Sequence, residues 1–217
     1  MKRGSRLVAV LLSVCSCAFG QVDTNLIAVG DWSEPVNDGN TPYTLRGRLI
    51  LAEEAPFNGT RMAVVYLELQ NLSRILASVL VDYSEKALRC EVVDAGGKPL
   101  PQTPTPASII APLPDAITTL VLPCDSTLRF RVSVNGWAIP NGPGWAIQFV
   151  SAFWFLPPSA SRDRFLSGKF VVPKLNPTDI DAVRKEMERG HVWHGTLVLP
   201  KIRIPPLTSE GKNKTTQ

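Results

Sequence analysis

The sequence predicts an all-β fold: an antiparallel β-sandwich, immunoglobulin-like or jelly-roll-like, with one short helix near the C-terminus. Three observations carry this. Apolar and polar residues alternate along short runs rich in β-branched and aromatic side chains, the period-2 pattern of half-buried strands. Turn residues separate the runs, with Asp94-Ala95-Gly96-Gly97 and Asn135-Gly136 offering positions where positive φ is cheap. The runs are short and closely spaced, as sandwich strands are.

In chain order the expected strands are Asn25–Val29, Tyr43–Leu51, Met62–Gln70, Ile75–Asp82 and Leu88–Val93, then Thr119–Leu122, Leu128–Val134, Gln148–Phe155, Leu166–Val172 and Trp193–Ile204. Leu128-Arg129-Phe130-Arg131-Val132-Ser133-Val134 is the cleanest, with one apolar and one wet face. The mostly apolar stretch Ile147–Pro157 contains Gln148 and Ser151 and is too short to span a bilayer, so it reads as a central strand. Pro99–Pro114 is too proline-rich for a central strand and reads as a stiff surface loop. Its Pro101-Gln102-Thr103-Pro104 matches PxxP, a motif whose partners are mostly intracellular. Thr178–Gly190 departs from strand pattern: Thr178 is a helix N-cap with Asp181 three residues on, Ile180, Val183 and Met187 share a stripe, and Gly190 ends it.

Residues 1–20 read as a secretory signal peptide. Lys2, Arg3 and Arg6 make a basic start, Leu7–Phe19 is uncharged and apolar, and Ala18-Phe19-Gly20 places small residues before Gln21. The apolar run falls short of the ~20 residues a spanning helix needs. Export to the periplasm or the extracellular space follows as the expectation, with cleavage before Gln21. Val14-Cys15-Ser16-Cys17 resembles a lipoprotein cleavage box with Cys17 as the acylated residue, but cysteine just before that position is atypical. The ordinary cut site is favoured over a lipid anchor.

The leader also accounts for most of the basicity. The chain of 217 residues carries 23 Lys and Arg against 19 Asp and Glu, and three of those cations lie in the leader. The mature chain is therefore close to neutral. Its cations are scattered except for Lys201, Arg203, Lys212 and Lys214, and nucleic-acid binding, which needs a concentrated basic face, is excluded. The mature length fits one large all-β domain or two small ones, and the expectation is a single domain over residues 21–205 with a disordered tail over 206–217.

Cys90 and Cys124 remain after cleavage, and an oxidising compartment permits one disulfide between them. Leu88, Cys90 and Val92 share one parity, as do Leu120, Leu122 and Cys124, so both sulfurs are expected to point inward. Closing that loop would stabilise the fold by roughly 3–4 kcal/mol in the chain-entropy model. Two free buried thiols or a metal pair are the alternatives, and the metal pair is a poor one without a nearby histidine or second cysteine pair.

Sequence patterns name no catalytic residue and imply no cofactor or metal. His191 and His194 are three apart where the chain enters a strand, which sets them on opposite faces. Glu53-Glu54 is an adjacent pair, the wrong geometry for an acid and a base on a strand, and no Gly-x-Ser-x-Gly elbow occurs. Asn37-Asp38-Gly39-Asn40, with Asp31 and Glu34 nearby, has oxygen ligands for Ca²⁺ but lacks EF-hand spacing and reads as a turn. Asn58-Gly59-Thr60, Asn71-Leu72-Ser73 and Asn213-Lys214-Thr215 match the N-glycosylation triplet. Trp137-Ala138-Ile139 and Trp145-Ala146-Ile147, each preceded by glycine, are the candidate ligand-binding residues. Exposed together, Trp137 and Trp145 would form a platform for sugar rings; buried, they would anchor strand ends.

Several segments resemble a family of uncharacterised exported bacterial β-sandwich proteins. They are Tyr66-Leu67-Glu68-Leu69-Gln70-Asn71, Asp94-Ala95-Gly96-Gly97-Lys98-Pro99-Leu100-Pro101, Leu122-Pro123-Cys124-Asp125-Ser126-Thr127-Leu128-Arg129 and Trp193-His194-Gly195-Thr196-Leu197-Val198-Leu199-Pro200. The resemblance implies a shared fold without assigned activity, so no functional residue carries over. The functional expectation is a non-enzymatic exported module for protein interaction or envelope structure, with an unidentified protein or glycan as partner. A glycan-binding module using the tryptophans is the alternative, and a hydrolase or hydrolase inhibitor the second.

Overall fold

The structure is a computed structural model and describes residues 25–39, 42–74, 78–104, 117–134, 142–158, 162–174, 178–181, 184, 188 and 192–207. Among these the chain forms β1 (Asn25–Val29), β2 (Val36–Asn37), β3 (Thr44–Phe57), β4 (Thr60–Asn71), β5 (Val79–Tyr83) and β6 (Leu88–Asp94). It continues with β7 (Thr118–Leu122), β8 (Thr127–Arg131), β9 (Gly144–Phe149), β10 (Ala152–Leu156), β11 (Arg164–Val172) and β12 (Gly195–Ile204). The fold is mostly β, arranged in several largely antiparallel sheets that do not close into a barrel.

The largest sheet grows from the β3–β4 hairpin. Asn58 and Gly59 sit at φ 48° and 79° between Phe57 and Thr60, the two-residue loop with both central φ values positive that matches strand twist. β1 and β2 pair along the outer edge of β3. The far edge of β4 is divided between two strands. β8 runs antiparallel along Tyr66–Gln70, and β9 runs parallel along Thr60–Ala63 with β10 hairpinned onto it.

Those two strands approach β4 end to end, and Ser133 closes the seam between them. The buried Val65 N–H donates to Ser133 Oγ at 2.9 Å, while Val132 N–H donates to Val65 O at 2.9 Å. Val134 N–H then donates to Gln148 O at 2.9 Å, tying the seam to β9. A backbone group orphaned by the change of strand is thus satisfied by a hydroxyl.

β12, β11 and β6 form a three-stranded sheet, and β5 and β7 a two-stranded one. All three sheets contribute to one core that includes Leu49, Leu67, Val81, Leu122, Leu166, Phe170 and Leu197. Gly47 lets β12 pack closely on β3: a Cβ there would lie 3.1–3.2 Å from methyls of Leu199, Leu197 and Leu69. Each buried indole ties down a segment outside its own sheet. Trp193 donates to Val36 O at 3.3 Å, Trp154 to Leu100 O at 3.3 Å, and Trp145 to Pro205 O at 2.9 Å. Burial of a tryptophan demands a partner for its N–H, and here distant carbonyls supply it.

Most strands lie within a few residues of their expected positions. Gln148–Phe155 is a correction: it is the β9–β10 hairpin, turning at Val150-Ser151. Both arms are apolar and the turn holds neither glycine nor proline, so periodicity did not mark it. The chain from Pro99 to Pro104 links sheets as well as covering surface. Leu100 N–H donates to Val92 O at 2.8 Å, Thr103 N–H to Phe153 O at 2.7 Å, and Phe155 N–H to Thr103 Oγ1 at 2.8 Å. At the C-terminus the described residues end at Leu207, which packs against the core. Residues 1–24, the Asn135-Gly136 turn and most of the expected Thr178–Gly190 helix lie outside the described residues.

Candidate functional site

The polar face of the large sheet carries a ladder of arginines built by strand register. Arg46 and Arg48 on β3 pair with Gln70 and Glu68 on β4, and Glu68 pairs in turn with Arg129 on β8. Paired residues share a face, so Arg46, Arg48, Glu68, Gln70, Arg129 and Arg131 all project to the same side.

Glu68 is the centre of this set. The residue is 4% exposed, and its carboxylate receives Arg48 Nε at Oε2 (2.5 Å) and Arg129 Nε and Nη2 at Oε1 (3.0 and 2.9 Å). Arg46 Nε donates to Gln70 Oε1 at 2.7 Å. Arg131 pairs with Glu54 and donates through Nε to Ser133 O at 3.1 Å. Trp32, ahead of β2, lies against the guanidiniums of Arg48 and Arg46, with their Cζ atoms 4.2 and 4.7 Å from its ring centre. Such cation–π contacts contribute about 0.5–1 kcal/mol each where water reaches them.

Four guanidiniums therefore face two carboxylates, Glu54 and Glu68. The side chains of Arg129 and Arg131 remain 48% and 30% exposed. Beside the ladder, Leu26 and Val29 on β1 pair with Ala52 and Ile50 and are exposed on the same face. The sequence shows this site only as two Arg-x-Arg runs, Arg46-Gly47-Arg48 and Arg129-Phe130-Arg131, and as Glu68-Leu69-Gln70. Nothing local in those runs announces that the register aligns them.

The residues singled out from sequence fall elsewhere. Trp145 is 2% exposed on β9, its indole N–H taken by Pro205 and its ring 5.5 Å from the Arg61 guanidinium. It anchors a strand, and no open face remains for a sugar ring. Trp137 lies outside the described residues. His194 Nδ1 is 2.7 Å from Pro173 O at the start of β12, and His191 lies outside the described residues. Glu53 and Glu54 face opposite ways, pairing with Arg61 and Arg131.

The Cys90–Cys124 disulfide is also corrected: both thiols are free. Cys90 lies inside β6 against Gly168, and burial pushes its thiol up to about 12. Alternation fails before Cys124, because β7 ends at Leu122 and Pro123 opens a turn in which Asp125 takes φ 54°. The Cys124 thiol donates to Ser73 O at 3.4 Å, and desolvation with the neighbouring Asp125 charge raises it.

Asn37-Asp38-Gly39 is a turn: Gly39 N–H donates to Asn37 Oδ1 at 2.8 Å and Gly39 takes φ 82°. Of the glycosylation triplets, Asn71 is buried, its amide donating to Leu122 O and Pro123 O at 3.1 Å each, while Asn58 sits exposed in the hairpin loop. Among the described residues no cluster of three His, Cys, Asp or Glu is placed to hold a metal ion. No helix among them is long and apolar enough to cross a membrane.

Compared with known proteins, the chain matches no family model, no curated protein and no solved structure.

Proposed function

We propose that the mature chain is an exported, non-enzymatic β-sandwich module that binds an acidic protein partner through the arginine ladder of its large sheet. The observation that carries this reading is the pinned carboxylate of Glu68, which holds Arg48 and Arg129 in fixed positions while leaving an excess of positive charge on the face. Pre-positioned guanidiniums lose little freedom on meeting carboxylates, and arginine and tryptophan are the residues interfaces favour. Leu26 and Val29 add an exposed apolar margin to the same face.

Affinity purification of the tagged mature chain from its native envelope tests the reading, run beside an Arg46→Glu/Arg129→Glu variant. A co-purifying acidic protein that elutes with rising salt and is lost in the variant is the expected result. Equal recovery on both chains would overturn it.

A further inference from the structure

β8, the strand that carries Arg129 and Arg131, is also an edge. Among the described residues it pairs with β4 and with no other strand. The neighbouring half of that side ends differently. There Thr103 takes the outer edge of β10, donating its N–H to Phe153 O and accepting from Phe155 N–H at its hydroxyl. Among the described residues no segment does this along Thr127–Arg129.

Strand alternation fixes which backbone groups face that open edge. Val65 spends both its N–H and its C=O on the β8 side of β4, bonding Ser133 Oγ and Val132 N–H. Residues two apart repeat the direction, so Leu67 and Leu69 face β8 and their register partners Phe130 and Leu128 face back. The N–H and C=O of Thr127 and Arg129 consequently point outward. An edge of this kind is a template for a further strand.

The two faces of β8 say which strand fits. On the core side Leu67 and Leu69 are 0% exposed, whereas their partners Leu128 and Phe130 are only partly buried. The sheet stops one strand short of covering them. On the polar side Arg129 meets Glu68 through Nε and Nη2, which leaves Nη1 outside that pair, and its side chain stays half exposed. An added strand therefore meets apolar side chains on one face and guanidiniums on the other. A second copy of this chain does not complement them. Two β8 strands paired with matching faces set arginine beside arginine, which is destabilising. Charge selects an acidic strand from another protein. β1 is a second open edge, but it carries no charge of its own.

We infer that the acidic partner adds an extended segment of alternating acidic and apolar residues to the outer edge of β8. Its carboxylates lie beside Arg129 and Arg131, and its apolar side chains beside Leu128 and Phe130. The inference rests on the ladder being the binding surface and names how the partner enters it. In strand addition the backbone bonds supply affinity and alternate side chains supply specificity.

Two synthetic peptides of equal composition and charge test it, titrated calorimetrically into the mature chain at low ionic strength. The first, acetyl-Thr-Glu-Val-Glu-Val-Glu-Thr-amide, keeps its carboxylates on one face. The second, acetyl-Thr-Val-Glu-Glu-Glu-Val-Thr-amide, would press its central carboxylate against Leu128 and Phe130, where it has no partner. The first is expected to bind at least about tenfold more tightly than the second. Arg129→Gln is expected to weaken it about tenfold, the loss of one charge-assisted bond, with circular dichroism verifying the fold. In the unmutated chain, exchange of the Arg129 amide proton is expected to slow at least about tenfold under saturating peptide. Equal binding of the two peptides, or tight binding without slowing at Arg129, would overturn strand addition and leave a face-on contact with the ladder standing. Binding indifferent to Arg129→Gln would count against the ladder as well. Binding by neither peptide would overturn strand addition, and recovery from the envelope then judges the ladder on its own.

Discussion

Arg129 on β8 reaches the buried carboxylate of Glu68 on β4 with two nitrogens, Nε at 3.0 Å and Nη2 at 2.9 Å, both on Oε1. The other oxygen is left for Arg48, so one acidic residue locks three strands in register. Removing it strands two guanidiniums beside each other. Glu68→Ala is expected to lower unfolding free energy by about 2 kcal/mol, less than the ~3–5 of a fully buried pair because both arginines keep some water. Urea titration of the variant measures this directly, and a loss below ~0.5 kcal/mol would show that the ladder contributes nothing to register.

Among the described residues, the Ser133 hydroxyl accepts from Val65 N–H at the seam between β8 and β9. Ser133→Ala leaves that donor buried without a partner and is expected to cost about 1–3 kcal/mol. Hydrogen exchange at Val65 is the sharper readout, since its amide should lose protection while Leu67 and Leu69 on the same strand keep theirs.

Asn71 spans from the end of β4 to the β7–β8 turn, with its amide on Leu122 O and Pro123 O and its Oδ1 accepting from Ser73 N–H at 2.9 Å. An aspartate at this position would set oxygen against oxygen. Asn71→Asp is therefore expected to destabilise by at least about 2 kcal/mol. For the same reason the folded chain cannot carry a glycan at Asn71, and peptide mapping after expression in a glycosylating host should find it unmodified.

The free thiols give a pH dependence with a definite sign. Burial raises Cys90 from 9.0 to about 12. Burial first, then Glu85 and Cys90, raises Tyr83 from 10.0 to about 12. Above pH 9 the unfolded chain loses protons that the native chain retains, so stability is whole below about pH 9 and falls as pH climbs toward 12. Denaturant titrations from pH 7 to 11 should show a flat response followed by a steady decline. Iodoacetamide at pH 8 should leave Cys90 unlabelled in the native protein and label it in urea.

Local pattern reached the strands and stopped at their partners. Leu128–Arg131 shows its wet face in sequence, yet Glu68, which that face meets, is 61 positions away and is placed by register alone. Trp137 and Trp145 sit in near-identical Gly-Trp-Ala-Ile settings, and no nearby residue reveals that Pro205 caps the second indole. Asn58-Gly59 is a hairpin turn that also spells a glycosylation triplet; its backbone role is the one visible in φ. Parity placed Cys90 inside the sheet correctly and failed for Cys124, because Pro123 ends the alternation one residue before the sulfur. The arginine ladder was hidden for a similar reason: each Arg-x-Arg run is an ordinary solvated face until β4 aligns the two.

The central claim is that this ladder is a binding surface. Chemical cross-linking of the mature chain in its native envelope, with mapping of the linked peptides, tests it most directly. The account predicts a partner protein whose linked residues lie in an acidic stretch and whose links fall within reach of Trp32, β3 and β8, disappearing in Arg46→Glu/Arg129→Glu. Links concentrated on another face and unchanged in that variant would contradict it.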